Sequence, residues 1–383
     1  LNKRTDIDFN LITMRTKNYK QLLTGLIIMC FTFSSCDGEL GERIPDDYFD
    51  RDNSELDAPY IFQKGYKGYT CYRIPALVKT KEGNLLAFAE ARKDNCADDG
   101  NIDLVLRRSM DNGETWDDMV IIWDAGENTT GNPAPVVDEI TGEIHLLMCL
   151  NNDQVYVTRS ADDGVTWSEP KDITASVKRD NWTWYATGPV HGIQIKKGEH
   201  AGRLVIPCDH TGNAHAIYSD DHGETWKLGG ITSHPVFKPN ECTVAELSNG
   251  DLLLNMRCPN SDKRRLLSRS TDGGLSWSTP EVHQTLIDPV CQGSMLTFTD
   301  TDDRSILLFA NPAHETRRRN MTLRVSYDDG ETYPKEQLLY GEFAAYSDMA
   351  LLDTDNLAML YERGVSDANE GIAFEVISLD NLK

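Results

Sequence analysis

Three arginines in this chain stand where charge is costly. Arg73 interrupts the strand-like run "CYRIPALV", Arg257 ends "DLLLNMR", and Arg318 lies in "ANPAHETRRRNMTLRVS", just before another such run. A guanidinium keeps its charge at any ordinary pH and is expensive to bury without a partner. Its planar fork matches the two oxygens of a carboxylate, which makes arginines gathered from separate segments a natural anion site. Taken singly, each could instead end in a salt bridge within its own strand. The chain carries 38 basic and 61 acidic residues, a net charge of −23. That balance argues against nucleic acid or an anionic membrane surface as a partner, and any anionic substrate needs a local basic pocket.

The elements that must position these arginines are legible as a repeat. "SMDNGETW", "SADDGVTW", "SDDHGETW", "STDGGLSW" and "SYDDGETY" share the pattern S-x-D-x-G-x-[ST]-aromatic, beginning at Ser109, Ser160, Ser219, Ser270 and Ser326. "SLDN" at Ser378 begins the pattern again. Each follows a strand-like run, offers an Asp that can accept backbone N–H groups and a Gly free to take positive φ, and ends on an aromatic that can pack under the turn. Repeats of about 50 residues built from short strands predict blades of a β-propeller. The expected fold is all-β, a six-bladed propeller spanning 60–383 and closed by N-terminal residues pairing with the last blade. The octapeptides resemble the Asp-box turns of sialidases and of unrelated propellers. They are expected to staple turns and do no chemistry, so fold alone does not give function. Three arginines from three blades can, however, meet at the propeller axis.

The first 36 residues read as a processing signal. "MRTKNYK" from Met14 is basic, "QLLTGLIIMCFTF" is apolar but short for a membrane span, and "SSC" ends at Cys36. This resembles a bacterial lipoprotein signal, with an ordinary secretory peptide as the alternative. The chain is expected to be exported to the periplasm, outer membrane or cell surface and held there by lipid on Cys36. Residues 37–59, rich in Asp, Glu and Pro, are expected to form a tether. The remaining cysteines, Cys71, Cys96, Cys149, Cys208, Cys242, Cys258 and Cys291, are scattered singly. They predict small buried side chains, no obligatory disulfide and no metal site.

The stretches "YRIPAL", "LLAFAEARKDNCADDGNIDLVLRRSMDNGETW", "NECTVAELSNGDLLLNMR", "ANPAHETRRRNMTLRVSYDDG" and "AAYSDMALL" occur in the order found in exo-sialidases of the bacterial and animal lysosomal type. The resemblance covers about Tyr60 to Leu379. It implies that Arg73, Arg257 and Arg318 form a triad gripping the substrate carboxylate, with Arg317 and Arg319 as register alternatives to Arg318. It also implies a tyrosine nucleophile at Tyr346, a glutamate base at Glu241 with Glu246 as competitor, and an acid at Asp98 with Asp99 one residue away. Asp103 lies in the same stretch. Arg92 matches an arginine lining the family's pocket. Trp182, Trp184, Tyr185, His191, Asp209 and His210 are candidates for the pocket wall.

The chemistry behind this set is coherent. Sialic acid carries a carboxylate on its anomeric carbon, and a neutral phenol avoids bringing a second negative charge against it. A phenol with an ordinary pKa of about 10 needs a neighbouring base to become nucleophilic. The implied activity is hydrolysis, with retention, of terminal α-linked sialic acid from glycoproteins, glycolipids or oligosaccharides, without metal or organic cofactor. A trans-sialidase, intramolecular or not, would use the same residues. A non-catalytic sugar-binding propeller would not need the tyrosine, glutamate and acid together.

Overall fold

The computed structural model describes residues 59–380 and Leu382, so the signal over 1–36 and nearly all of the tether lie outside the described residues. The described chain is built almost wholly of antiparallel strands. The first sheet stacks Cys71–Lys79, Leu85–Arg92, Ile102–Ser109 and Val120–Trp123 in chain order. Thr130–Val137 opens a second sheet of the same design and Cys242–Glu246 another. Between them, Ala186–Thr187 and Ile193–Gln194 both pair with Leu204–His210, which continues into Asn213–Ser219 and Lys227–Ile231.

The last sheet has seven strands, running from Ser294–Thr299 at one edge to Tyr60–Gln63 at the other. Its centre is Lys335–Leu351, a strand of 17 residues. The first half of that strand pairs with Arg319–Ser326 and the second with Asn356–Gly364, with a register shift between Ala344 and Ser347. Tyr60–Gln63 pairs with Gly371–Ser378, so the N-terminal residues complete the sheet that ends the chain. That strand pairing is the one expected from the sequence.

Strands such as "LLAFAEAR" are buried along their whole length because both faces of each sheet meet another sheet. Ala76, Phe88 and Leu106 of the first sheet pack on Ile144, Leu146 and Met148 of the second. Tyr72, Leu77 and Leu85 pack on Leu360, Ile372 and Phe374 of the last. Side-chain layers thus run from sheet to sheet and return to the first.

The octapeptides join the third and fourth strands and bond as their residue types predict. Ser109 Oγ accepts from Gly113 N at 2.8 Å, and Asp111 Oδ1 accepts from Thr115 N at 2.8 Å. The same pair of bonds recurs at Ser219 and Asp221, at 2.8 and 2.9 Å. Ser378 Oγ accepts from Asp380 N at 3.3 Å, the beginning of the same turn. Gly113 has φ 91°, and a Cβ there would lie 2.0 Å from the ring of Phe374. Trp116 meets that ring edge-on at 5.1 Å. The turn of the first sheet is therefore also its contact with the last, and glycine is needed for conformation and for space.

One expectation fails. Cys71 and Cys96 form a disulfide, with Cα atoms 5.3 Å apart. Their separation in sequence gave no sign of it, but strand pairing sets Cys71 opposite Arg92, and the loop after Arg92 brings Cys96 back to that edge. Cys149, Cys208, Cys242, Cys258 and Cys291 are free and buried, as expected.

Candidate active site

Arg73 sits at a break in its strand. Pairing with Leu85–Arg92 shifts register between Arg73 and Ala76, and Ile74 takes φ 58°. Positive φ is rare and strained for a β-branched residue, so the conformation needs external support. Glu362 supplies it. Its carboxylate accepts from Ile74 N at 2.9 Å and grips the Arg73 guanidinium through Nε and Nη2, both at 3.1 Å. The same carboxylate accepts from Tyr346 N at 3.2 Å. Glu362 is wholly buried and Arg73 nearly so.

Tyr346 lies in the stretch where the long strand passes from one set of partners to the other. Its hydroxyl hydrogen-bonds to Glu241 Oε1. Arg257 Nη1 donates to the Tyr346 hydroxyl at 3.0 Å and also pairs with Glu241 Oε2. The guanidinium carbons of Arg73 and Arg318 stand 5.2 and 5.4 Å from the centre of the Tyr346 ring. The three arginines expected to converge therefore surround one tyrosine. Arg318 Nη2 donates to Val290 O at 2.9 Å; among the described residues no carboxylate forms an ion pair with it.

Several of the alternative residues lie in different surroundings. Asp98 Oδ1 accepts from Arg92 Nη1 at 2.8 Å and Arg73 Nη1 at 3.3 Å, while its side chain remains 82% exposed. Asp103 is buried against Tyr69 and Lys93. Glu246 accepts from the backbone of Lys196 and Lys197 at the far end of its strand. Arg319 pairs with Glu342. Arg92 lies under the acid loop: it binds Glu90 through Nε and Nη2, and its Nη1 faces Cys96 O, Ala97 O and Asp98.

Of the wall candidates, each of which could equally be core or rim packing, most are buried. Trp182 stacks on His210 at 3.4 Å, Tyr185 binds His215 through its hydroxyl, and Trp182 and Tyr185 join a core cluster. His191 is tied to Asp348 at 2.6 Å, and Asp209 is buried. Trp184 is partly exposed.

The charges set proton affinities in opposite directions. Burial pushes the Tyr346 phenol well above its usual pKa and Glu241 adds to this, while Arg257 and Arg318 oppose, so the resting group is a neutral phenol. Partial desolvation beside the arginines favours the neutral form of Asp98 although its side chain is largely exposed, but the Arg92 hydrogen bond and the fields of Arg92, Arg73 and Arg318 win and hold its carboxyl below the usual range. Burial works against the charge on Arg73, and Glu362 more than offsets it. A carboxylate-bearing ligand can thus meet fixed guanidinium groups beside a phenol whose proton has an acceptor.

A BNR repeat-like domain matches residues 83–359. An exo-alpha-sialidase of Aspergillus fumigatus is 33% identical over 294 residues, 68% of this chain and 69% of that protein. The chain belongs to the sialidase family. A sialidase of Micromonospora viridifaciens is 32% identical over 346 residues, 81% of this chain. This chain spans 53% of that relative's length. Among solved structures, a Hadza microbial sialidase superposes with a TM-score of 0.76 at 32% identity, covering 84% of this chain and 68% of the other.

Glu362 was not among the residues singled out from the sequence. Its signal was present, a lone acid after the apolar run "NLAMLY", the mirror image of Arg73 in its own strand. Replacing Glu362 by Ala should lower the unfolding free energy by about 3–5 kcal/mol, because a buried guanidinium loses its partner. Adding Arg73→Met and changing the acid to Leu should recover part of that loss. Urea denaturation of the parent and both variants checks this; a Glu362→Ala protein as stable as the parent would contradict the pairing.

Proposed function

We propose that this chain is an exo-α-sialidase that hydrolyses terminal α-linked sialic acid from glycans with retention, using Tyr346 as nucleophile. The observation that carries this is the meeting of Arg73, Arg257 and Arg318 around a tyrosine whose hydroxyl is bonded to Glu241. Of the three, Arg318 is the guanidinium with no carboxylate partner among the described residues, and the carboxylate of the substrate completes it. Charge-assisted bonds of this kind contribute roughly 1.5–3 kcal/mol each, enough to fix the sugar's orientation.

In the reaction, Glu241 takes the phenolic proton as Tyr346 Oη attacks the anomeric carbon, and Asp98 gives a proton to the departing glycosidic oxygen. The bond formed is Oη to carbon, and the bond broken is carbon to the aglycone oxygen. Asp98, now ionised, then takes a proton from water, whose oxygen displaces the tyrosine, and Glu241 returns its proton to the departing phenolate to restore the phenol. Attack by a neutral phenol keeps a second anion away from the sugar carboxylate.

The fold supports this reading if the seven-stranded sheet is two blades sharing the long strand, which makes six blades with the other sheets. The arginines then come from different blades to a common axis. The basic, apolar and "SSC" segments ending at Cys36 favour an exported lipoprotein acting on sialylated glycoproteins, glycolipids or oligosaccharides outside the cytoplasm. A disulfide suits such an oxidising location.

A proton NMR time course with 3′-sialyllactose tests the reading. Free sialic acid should appear first as the α-anomer and then mutarotate; first appearance of the β-anomer would rule out retention.

The field around Asp98 predicts a particular pH dependence. Its carboxyl is held below the usual range in the free protein, so the protonated acid is depleted as pH rises. A bound carboxylate offsets the charge of Arg73 and Arg318, which raises the pKa of Asp98 in the complex. Because kcat/KM reports the free enzyme and kcat the complex, the alkaline limb of kcat should lie at higher pH than that of kcat/KM. Initial rates from pH 3.5 to 8 decide this, and coincident limbs would contradict it.

A further inference from the structure

The loop that carries Asp98 has little of its own to hold it. Between Arg92 and Ile102 the sequence is "KDNCADDGN", whose only substantial apolar side chain is Cys96. Asp94, Asn95, Ala97, Asp98, Asp99 and Gly100 are exposed, whereas Cys96 is half-buried. Burial therefore fixes almost none of the loop, and its three carboxylates repel one another.

The ends are tied by hydrogen bonds. Lys93 N donates to Asn101 O at 3.0 Å, and Gly100 N donates to Thr129 Oγ1 at 3.0 Å. In the middle, Arg92 Nη1 faces Cys96 O at 2.7 Å, Ala97 O at 2.7 Å and Asp98 Oδ1 at 2.8 Å. One Nη carries two hydrogens, so three acceptors must share them. Those contacts are shared, and Arg73 Nη1 adds a bond to Asp98 Oδ1 at 3.3 Å; the disulfide from Cys96 to Cys71 is the covalent restraint on the loop.

Both ends of that bond are placed for a functional role. Cys96 is two residues before Asp98. Cys71 is buried two residues before Arg73, on the strand that presents the carboxylate-binding guanidinium. The cross-link therefore ties the acid to the strand that fixes the substrate, close to both. We propose that the Cys71–Cys96 disulfide is a positioning device for Asp98, setting how well the acid protonates the leaving group without building the arginine site. This rests on the sialidase reading.

The consequence is selective. An acid that protonates the departing oxygen matters most when the alcohol is a poor leaving group, as in a sialylated sugar. It matters little for a nitrophenyl sialoside, whose phenolate leaves without help. Since kcat/KM covers steps through aglycone departure, it isolates the acid role from the later attack of water.

The test measures kcat/KM for 3′-sialyllactose and for a nitrophenyl sialoside with the parent, with Cys96→Ser, and with the folded parent treated with a dithiol. In the treatment the disulfide gains two electrons and two protons to become two thiols, and the dithiol closes to its own disulfide. Alkylation and intact mass identify the opened fraction. Opening the bond should lower kcat/KM on sialyllactose by roughly ten- to a hundredfold, within what general acid catalysis supplies, and change the nitrophenyl value by less than about twofold. Equal losses on both substrates, or none on either, overturn the proposal. If Cys96→Ser does not fold, the reduced parent carries the same comparison. A folded parent inactive on both substrates overturns the sialidase reading, and the proposal with it.

Discussion

A single buried carboxylate holds the centre of this protein together. Glu362 grips Arg73 with two hydrogen bonds, accepts from the strained backbone at Ile74 and accepts again from Tyr346 N. Removing either ion alone would leave its partner charged in a low-dielectric site, which costs far more than the pair gains over apolar replacements. Such a pair is poor value as a source of stability and good value as a source of geometry. It fixes, at one point, the arginine that faces the ligand, the bulge that aims it, and the start of the segment bearing the phenol.

The sheets exist to make that point possible. Three of the five described sheets contribute a strand or adjoining residue: Arg73 from the first sheet, Glu241 and Arg257 beside the strands that open at Cys242, and Arg318 and Tyr346 from the last. The Ser-x-Asp-x-Gly turns stay remote from these groups and act through packing, as Gly113 does against Phe374. Below Tyr346 on the same strand, Ser347 bonds to Gln292 and Asp348 bonds to His191 and Leu77 N. A cavity lined by Leu77, His191, Val244 and Met349 contains none of the arginines of the site.

What the sequence made legible was local or periodic. The turns could be read because their bonds close within a few residues, as from Asp111 to Thr115. The arginines could be read because charge in an apolar run demands a reason. Their partner could not, since Arg73 and Glu362 are 289 positions apart and only the packing of the first sheet on the last joins them. The disulfide was hidden for a related reason: the pairing of Cys71–Lys79 with Leu85–Arg92 creates the proximity. The aromatics near Trp182 could not be sorted between wall and core from sequence, because the Trp182–His210 stack is made by residues 28 positions apart. Fusion of the last strands into one sheet also left no mark in the spacing of the repeats.

The central claim is that the tyrosine among the arginines is the group that takes the sugar. Incubation with 2,3-difluorosialic acid, whose fluorine at C3 slows both steps while fluoride at C2 leaves readily, followed by intact-mass and peptide mass spectrometry, tests it most directly. The account predicts one added sialyl group per chain, carried by the peptide containing Tyr346 and localised to its side chain. An adduct on Asp98, Glu241 or any other residue, or rapid inactivation of a Tyr346→Phe variant by the same covalent route, would contradict it.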